Sequence, residues 1–598
     1  MINRRNHPKN GMLTSLTRQS AILFLLSLFL FTALWAEKPA NVSTPNLSIA
    51  QSDSSNKSAD PWWKHAVIYE IYPRSFQDSD GDGVGDIKGI TSRLEYLQQL
   101  GIDAVWITPM YPSPQIDFGY DIADYTKIDP QYGTMADFDR LVLEAKKHNI
   151  RVIMDFVANH TSDQNAWFVE SRSSRNNPKR DWYIWRDGKP DGQPPNNWLS
   201  WFGHSAWTLD PPTNQYYYHY FYREQPDLNW RNPEVRNAMY DVLRFWLDRG
   251  AAGFRVDAVS RLFEDPDLHD DPILPGHNAY GDPNIEHKYT DNLPEVHDVL
   301  REMRKLVDSY AGYPVLISEA DEPNIRELTK MYGKNDEIQL PMDFQVADVN
   351  KLSAPDFRRL LDEIENNSAG GQPYFFFSNH DQSRQWDRYG DGVHNDEIAK
   401  LMATLLLTTR ATPQMYYGEE LGMRTTPPTR KEDVKDPIGK IGWPEEKGRD
   451  GERTPMQWDA SKNAGFSQSN RPWLPVPPSA ATYNVVAERK DQDSILSFYR
   501  LLIKLRRSEP ALINGDYVPL NPQDPDVLSY LRKDPSSGKA VLIALNMSSR
   551  QKTLSFDSQG LRQRNAVILL ESPRPGGANL KLDAVSIQPF GAIVAAVH

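Results

Sequence analysis

Three carboxylates stand at the ends of strongly apolar, strand-like segments of the sequence. They are Asp257 in GFRVDAV, Glu319 in VLISEA and Asp381 in FFFSNHD. An apolar run of this length that ends in polar side chains is typical of a buried parallel strand, and in a βα barrel the chemistry lies at the C-terminal ends of such strands. Three acids that meet there predict the hydrolysis of a glycosidic bond, which needs a pair of carboxyl groups.

Polar partners accompany these acids. Arg255 stands two residues before Asp257, and because side chains alternate along a strand, its guanidinium points to the same face and favours the ionised carboxylate. His380 directly precedes Asp381, and a fourth apolar run, RVIMDFV, leads to His160. The sequence therefore predicts four strand ends that carry polar clusters.

These four segments, in this order, resemble the four signature regions of the α-amylase family of glycoside hydrolases. QPDLNW at 225–230 resembles a further signature of the branch that contains oligo-1,6-glucosidases and α-glucosidases, and the segments at 411–423 and 451–458 indicate the same branch. The resemblance covers residues 61–598. It implies a catalytic barrel, a small domain inserted after the third strand, and cleavage with retention of configuration.

Retaining hydrolysis needs a carboxylate that attacks the anomeric carbon and a carboxylic acid about 5–5.5 Å away that protonates the leaving oxygen. Arg255 favours the charged form of Asp257, which makes Asp257 the expected nucleophile. The charge of Asp257 in turn favours the protonated form of Glu319, the expected acid and base. Matching positions of the family have these roles, and Asp381 is expected to hold sugar hydroxyls and to stabilise the transition state.

Further substrate contacts are expected from residues that surround these acids. They are Tyr120, Asp121, His160, Arg255 and His380. Tyr120 and Asp121 belong to FGYDIADY, and Tyr120 is expected to stack on the sugar ring. Taken alone, each histidine could equally be a core residue, and Tyr120 could simply pack. Asp155 is expected to be a structural buried acid near Arg255.

The loop DSDGDGVGD at 78–86 has the spacing of a calcium-binding loop. Its expected ligands are Asp78, Asp80, Asp82, the carbonyl of Val84, and Asp86. Four acids this close repel one another without a cation, and the branch resembled here often carries a structural Ca²⁺ in this loop. The twelfth position is Gly89 instead of the glutamate of an EF-hand. We therefore expect a structural Ca²⁺ whose remaining ligand comes from elsewhere or from water.

Linkage specificity depends on one position. In the branch resembled here the residue after the nucleophile is Val in enzymes that favour α-1,6 bonds, whereas this chain has Ala258. This favours an exo-acting α-glucosidase that hydrolyses α-1,4-linked glucose from the non-reducing end of maltose and short malto-oligosaccharides. An oligo-1,6-glucosidase and a trehalose synthase remain alternatives. A non-catalytic, transporter-associated homologue is the alternative from another class, and such relatives lack members of the acid set.

Composition and charge narrow the class of protein. With 39% hydrophobic and 25% charged residues, the 598-residue chain is typical of a soluble enzyme of two or three domains. It has no cysteine, which excludes disulfides and thiolate catalysis. A net charge of −13 argues against nucleic acid and anionic membranes as partners, so the expected partner is a small oligosaccharide.

The N-terminal segment is typical of a secretory leader: a basic region followed by an apolar run that ends in small residues. It predicts a periplasmic or extracellular protein, with no stable membrane partner unless the leader is retained as an anchor.

Downstream, eight apolar runs alternate with amphipathic segments and predict a closed (β/α)8 TIM barrel, and short β runs near the C-terminus predict an antiparallel β-sandwich. The expected parts are a signal peptide or anchor (1–36), a flexible linker (37–60), the barrel (61–160 and 231–514), an inserted domain (161–230) and a C-terminal β-sandwich domain (515–598).

Overall fold

The computed structural model describes residues 60–368, 370–556, 561, 565–573 and 579–598. The predicted leader at 1–36 and the predicted linker, except for Asp60, lie outside these residues, and both stay predictions. Within the described part of the chain, no helix has the length and apolar character needed to cross a membrane.

Eight parallel strands coincide with the eight strand-like runs of the sequence. They are β1 (Ile68–Ile71), β2 (Ala104–Ile107), β3 (Arg151–Val157), β4 (Gly253–Asp257), β5 (Val315–Ser318), β6 (Leu340–Pro341), β7 (Tyr374–Phe375) and β8 (Thr412–Tyr416). They pair in the order β6-β5-β4-β3-β2-β1-β8-β7. A parallel bridge between Met342 and Tyr374 joins the two ends of this sheet. The sheet therefore closes into a barrel, and the predicted fold class is confirmed.

An outer helix follows each strand. These helices are α1 (Leu94–Leu100), α2 (Met135–Lys147), α3 (Pro233–Asp248), α4 (Val296–Val307), α5 (Ile325–Lys330), α6 (Ala354–Asn367), α7 (Asn395–Thr408) and α8 (Ile495–Ser508). Shorter helices lie in the connections: Pro73–Phe76, Ile87–Ser92, Ala166–Arg172, Phe344–Ala347, Gln385–Tyr389, Pro437–Gly442, Val485–Glu488 and Pro510–Asn514.

Helix α3 illustrates why these segments are helical. The Asn232 side chain accepts a hydrogen bond from the backbone N–H of Glu234, and Pro233 occupies the first turn, where its missing N–H costs nothing. Gly250 follows the helix with a φ of 94°, which glycine adopts without strain. The apolar face is buried against the barrel through Val235, Met239, Tyr240, Val242, Leu243, Trp246 and Leu247.

The barrel interior has an apolar end and a polar end. Ile68, Ile153 and Ile317 belong to a buried apolar cluster that fills the interior. Nearer the C-terminal ends of the strands the inward positions are charged, and Asp155 of β3 is in register with Arg255 of β4. Because side chains alternate along each strand, the same strands supply both the core and the floor of the site.

Two irregular segments lie between β3 and α4. The segment after β3 contains a three-stranded antiparallel sheet in which Gln215–Tyr218 lies between Trp185–Arg186 and Trp207–Asp210. The connection after β4 contains a hairpin of Ile273–His277 and Pro283–Ile285, which the sequence pattern did not indicate. Both segments lie on the side where the strands end.

The C-terminal part is a β-sandwich, as expected. Its strands are β9 (Asp516–Leu520), β10 (Val527–Lys533), β11 (Ala540–Asn546), β12 (Lys552–Leu554), β13 (Asn565–Ser572), β14 (Asn579–Lys581), β15 (Val585–Ile587) and β16 (Ala592–Val597). The larger antiparallel sheet has the order β9-β10-β11-β16-β13-β14, and β12 pairs with β15. Leu542 and Ile593 of the large sheet and Ile587 of the small pair share one apolar core. The exact domain boundaries stay predictions.

Candidate active site

A cavity of about 750 Å³ opens where the barrel strands end. Asp257 is the last residue of β4, Glu319 directly follows β5, and Asp381 lies in the loop after β7. All three carboxylates line this cavity, together with Tyr120 and His160. The structure therefore brings five of the predicted site residues to one surface.

Arg255 connects three carboxylates beneath the cavity. Its Nη1 donates to Asp257 Oδ1 at 2.5 Å and to Asp155 Oδ1 at 3.2 Å. Its Nη2 lies 2.8 Å from Glu319 Oε2, which also accepts from the backbone N–H of Ala258 at 3.1 Å. Arg255 is buried and is not part of the cavity wall. It therefore holds the acids in place, whereas the sequence analysis expected it to contact substrate.

Negative charge exceeds positive charge in this cluster when all its acids are ionised, because one guanidinium contacts three carboxylates. Burial raises the pKa of Asp257 well above its usual value, and Arg255 opposes the rise while Glu319 and Asp155 add to it. Burial likewise raises the pKa of Asp155, to about 6, with Arg255 again opposing. The spacing of Arg255 and Asp257 in the sequence predicts their pairing but does not reveal this burial. Sharing one cation among three acids favours retention of a proton in the cluster, which suits acid–base chemistry.

Asp381 has the opposite environment. Arg453 Nη2 donates to its Oδ1 at 2.6 Å, and Arg449 Nη1 donates to the same oxygen at 3.0 Å. Burial opposes ionisation, but the positive charges around the carboxylate outweigh it and hold the pKa of Asp381 far below its usual range. Asp381 is therefore a permanently charged hydrogen-bond acceptor at this end of the cavity.

His380 supports Tyr120 and Asp381 from behind the cavity wall. Its Nδ1 lies 2.7 Å from Glu70 Oε1, and its Nε2 lies 2.7 Å from the Tyr120 hydroxyl and 3.2 Å from Asp381 Oδ2. Its ring also stacks on Tyr120, with centroids 5.3 Å apart and planes inclined by 5°. His380 thus covers one face of the Tyr120 ring. A substrate in the cavity can contact Tyr120, which lines it, but not His380, which lies behind it.

His160 completes the buried end of the cavity. Its Nε2 lies 3.2 Å from the Tyr120 carbonyl and 3.1 Å from Gln225 Nε2. Burial lowers the pKa of His160 to about 3. The imidazole is therefore neutral at physiological pH, and it lines the cavity beside the acids, as predicted.

The structure does not bring Asp121 to the cavity. Its Oδ1 accepts from Ser113 Oγ at 2.8 Å and from the Asp117 N–H at 3.0 Å, and its Oδ2 accepts from the Ile116 N–H at 2.9 Å. The prediction that Asp121 contacts substrate is therefore wrong, because its carboxylate accepts hydrogen bonds that hold the preceding loop. The acid of this loop that lines the cavity is Asp117.

Asp117 and Arg449 are site residues that the sequence analysis missed. Arg449 Nη2 donates to Asp117 Oδ1 at 2.7 Å, and its Nε donates to Asp436 Oδ2 at 2.8 Å. Arg449 also contacts Asp381, so this one side chain joins loops that are far apart in the chain. Asp117 and Asp121 lie four positions apart in one loop, so the sequence did not indicate which of the two lines the cavity. Arg449 does not follow a predicted strand, so no sequence signal indicated it.

The acidic loop 78–86 lies outside the cavity. Oxygens of Asp78, Asp80 and Asp86 approach one another within 4.8 Å, a donor set that suits a hard divalent cation. Asp82 Oδ1 accepts from the Val84 N–H at 2.7 Å. Burial, together with the charges of the other three acids, raises the pKa of Asp82. Three of the five predicted ligands are therefore grouped in a way that suits a divalent cation, and the Ca²⁺ stays a prediction.

Comparisons with known proteins agree with this geometry. Residues 70–515 match the family model described as the alpha amylase catalytic domain. The chain is 42% identical over 502 residues to a probable alpha-glucosidase of Rhizobium meliloti, covering 82% of this chain and 90% of the relative. It is 41% identical over 534 residues to an oligo-1,6-glucosidase of Heyndrickxia coagulans, covering 83% and 93%. The solved trehalulose synthase of Pseudomonas mesoacidophila superimposes with a TM-score of 0.83 at 37% identity, covering 90% of this chain and 100% of that one.

Proposed function

Because the chain belongs to the α-amylase family of glycoside hydrolases, we propose that it is a retaining, exo-acting α-glucosidase. Its substrates are maltose and short malto-oligosaccharides, from which it removes α-1,4-linked glucose at the non-reducing end. The observation that carries the proposal is the closed end of the cavity, where Arg449 joins Asp117 to Asp381. This bridge is our reason to propose that a single terminal sugar unit binds beyond the cleaved bond.

In the proposed reaction, Asp257 attacks the anomeric carbon and forms a covalent glucosyl ester. Glu319 gives its proton to the leaving glycosidic oxygen, then takes a proton from the water that hydrolyses the ester. Glu319 Oε2 already accepts from Arg255 and Ala258, so the transferred proton belongs on Oε1. Arg255 stabilises the carboxylate of Asp257 that is restored at the end of the cycle.

The terminal glucose is held by the buried end of the cavity. The charged Asp381 accepts hydrogen bonds from sugar hydroxyls, and the neutral His160 and the Tyr120 wall complete the pocket. Because Asp381 stays ionised, it also stabilises the positive charge that develops on the sugar ring in the transition state.

An oligo-1,6-glucosidase is the second candidate, favoured by the Heyndrickxia coagulans relative of that name. Ala258 lines the cavity directly after Asp257, and its small side chain is our reason to prefer α-1,4 bonds. Trehalose synthase activity remains an alternative of the sequence analysis. A non-catalytic role has little support, because Asp257, Glu319 and Asp381 all line the cavity.

We also propose that the loop 78–86 binds a structural Ca²⁺ through Asp78, Asp80, Asp82, Asp86 and the carbonyl of Val84. The ion would neutralise acids that otherwise repel and would take no part in the reaction. Secretion to the periplasm or the outside of the cell is proposed from the leader at 1–36, and small neutral oligosaccharides are the proposed partners.

Chromatographic product analysis on maltose, isomaltose, sucrose and trehalose tests the function. We expect rapid release of glucose from maltose, slower release from isomaltose, and α-glucose as the first anomer detected by NMR. Asp257→Asn should lower kcat by several orders of magnitude without changing the circular dichroism spectrum. First release of β-glucose would contradict retention, and trehalose as the main product from maltose would replace hydrolysis with isomerisation.

A further inference from the structure

Trp201 is a large aromatic side chain exposed at the mouth of the cavity. Among the tryptophans that the structure describes, it alone is an exposed residue, with 49% of its surface accessible, and it lines the cavity. Two other residues of the cavity lining are far less accessible: Asp117 is 6% and His160 is 1% exposed. Trp201 therefore lies where the cavity opens to solvent.

One face of the Trp201 indole is covered. Its ring stacks on Tyr220, with centroids 6.3 Å apart and planes inclined by 19°. The Arg261 guanidinium lies 5.6 Å from the Trp201 ring and 4.9 Å from the Tyr220 ring, and it is paired with Asp291. Together with the His287 ring, whose centroid lies 6.2 Å away, these contacts hold the indole, while 49% of the Trp201 surface stays accessible.

The backbone that carries Trp201 is also held firmly. Its N–H donates to the Tyr220 carbonyl at 2.8 Å. Farther along the same loop, the His204 N–H donates to Asp282 Oδ2 of the hairpin at 2.7 Å. A Cβ at Gly203 would lie 2.5 Å from the ring of Tyr280, so hairpin and loop are in close contact. A preorganised platform costs little ordering entropy when a ligand binds.

The neighbours of Trp201 indicate which part of a substrate it meets. Phe202 lies beside Arg449, whose guanidinium is 5.8 Å from the Phe202 ring, and Arg449 belongs to the closed end. Trp201 instead lies beside Arg261, which ends the 3-10 turn Val259–Arg261 that follows Asp257. Trp201 therefore contacts the turn that follows Asp257, whereas its neighbour Phe202 contacts Arg449.

We propose that the exposed surface of Trp201 is a stacking platform for a sugar ring on the acceptor side of the cleaved bond. The apolar face of a pyranose packs on an indole, which offers a large, rigid surface with a small loss of rotamer freedom. This inference rests on the proposed function and deepens it: the substrate is an oligosaccharide whose acceptor sugar contributes to binding, and a simple glucoside lacks this contribution.

Two substrates with the same terminal glucose test the platform. Maltotriose has acceptor sugars, whereas α-glucosyl fluoride has none. We expect Trp201→Ala to lower the ratio of kcat/KM for maltotriose to that for α-glucosyl fluoride by roughly tenfold, and Trp201→Phe to restore part of it. Leu209→Ala is the control, because Leu209 is 41% exposed in the same inserted segment but does not line the cavity. An unchanged ratio in Trp201→Ala would overturn the proposal.

A binding measurement separates this inference from the proposed function. In a Glu319→Gln background, calorimetry should show weaker binding of maltotriose when Trp201 is replaced by Ala, and no change when Leu209 is. That result would support the platform even if the native enzyme released no glucose from maltose, in which case only the proposed function would fail. Equal affinity with and without Trp201 would reject the platform.

Discussion

Arg255 shows how one side chain organises the candidate site. It contacts Asp155, Asp257 and Glu319 at once, so each carboxylate has a share of one positive charge. A buried acid with only a share of a cation holds a proton more readily than an isolated acid in water. The proposed acid, Glu319, and the proposed nucleophile, Asp257, thus share the same guanidinium.

The proposed role of Glu319 predicts a dependence on the leaving group. Glu319→Gln should lower kcat/KM for maltose by about 10²–10⁴-fold, because no acid remains to protonate the leaving oxygen. The loss should be much smaller for α-glucosyl fluoride, whose fluoride needs less assistance. Glu322→Gln serves as the control, since Glu322 is buried nearby but outside the cavity wall. Equal losses on both substrates would show that Glu319 is not the acid.

Replacement of Ala258 by a larger residue is predicted to change both the linkage specificity and the stability of the protein. Its φ of 45° lies in the left-handed region, which is strained for a β-branched side chain. Ala258→Val should shift the ratio of isomaltose to maltose hydrolysis toward isomaltose by roughly tenfold and lower the free energy of unfolding by about 1–3 kcal/mol. Kinetics on both disaccharides and a thermal melt measure the two effects.

Ala258→Gly is the control for this prediction, because glycine relieves the backbone without enlarging the side chain. It should keep the preference of the native enzyme for maltose and melt no lower than it. A native enzyme that already prefers isomaltose would contradict the α-1,4 assignment, and the oligo-1,6-glucosidase candidate would replace it.

At the scale of elements, the ends of the barrel strands and the loops that follow them carry the acids of the cavity, and a separate acidic loop lies apart from them. In the loop 78–86 the backbone turns sharply at Gly83, which has a φ of 103°. A Cβ there would lie 2.3 Å from the Arg471 carbonyl oxygen. Asp78 accepts from the N–H groups of Asp80, Gly81 and Gly83, which orients its carboxylate within the loop. Glycine is thus required both by conformation and by the close approach of another segment.

Removal of calcium is predicted to destabilise the protein without altering its chemistry. A ligand that binds only the folded state at 100 times its Kd adds about 2.7 kcal/mol to the free energy of unfolding. EDTA should therefore lower Tm by a few degrees, and Ca²⁺ should restore it. Asp80→Ala removes the ligand oxygen and should abolish this shift, whereas Asp267→Ala, in an exposed acidic group elsewhere, should retain it. Absence of any shift, with no metal found by elemental analysis, would reject the site.

At the scale of the whole molecule, the cavity is strongly acidic. Its basic residues are Arg261, Lys447 and Arg449. Its acidic residues are Asp117, Asp257, Glu319, Asp321, Asp348, Asp381, Glu445, Glu446 and Glu452. Arg261 and Arg449 are already paired with carboxylates. A cavity of this kind attracts cations, repels anions and leaves neutral ligands unaffected by its net charge.

This charge predicts poor binding of phosphorylated sugars. The inhibition constant of glucose 6-phosphate should be at least about tenfold higher than that of glucose at low ionic strength, and the difference should shrink as salt screens the cavity. 6-O-Methylglucose controls for size, because it carries a neutral group on the same oxygen. If it binds as weakly as the phosphate, the exclusion is steric and the electrostatic explanation is wrong.

The sequence by itself determined the barrel, the order of its strands and the three carboxylates that line the cavity. These follow from local pattern: buried parallel strands are continuous apolar runs, and polar residues at their ends meet at one edge of the barrel. Only the tertiary structure decided which further residues line the cavity beside these carboxylates. Asp117 replaces Asp121 because the chain turns back at Phe118 and Gly119, both with positive φ. Arg449 and Trp201 reach the site on loops whose positions depend on contacts distant in sequence, which no local pattern records.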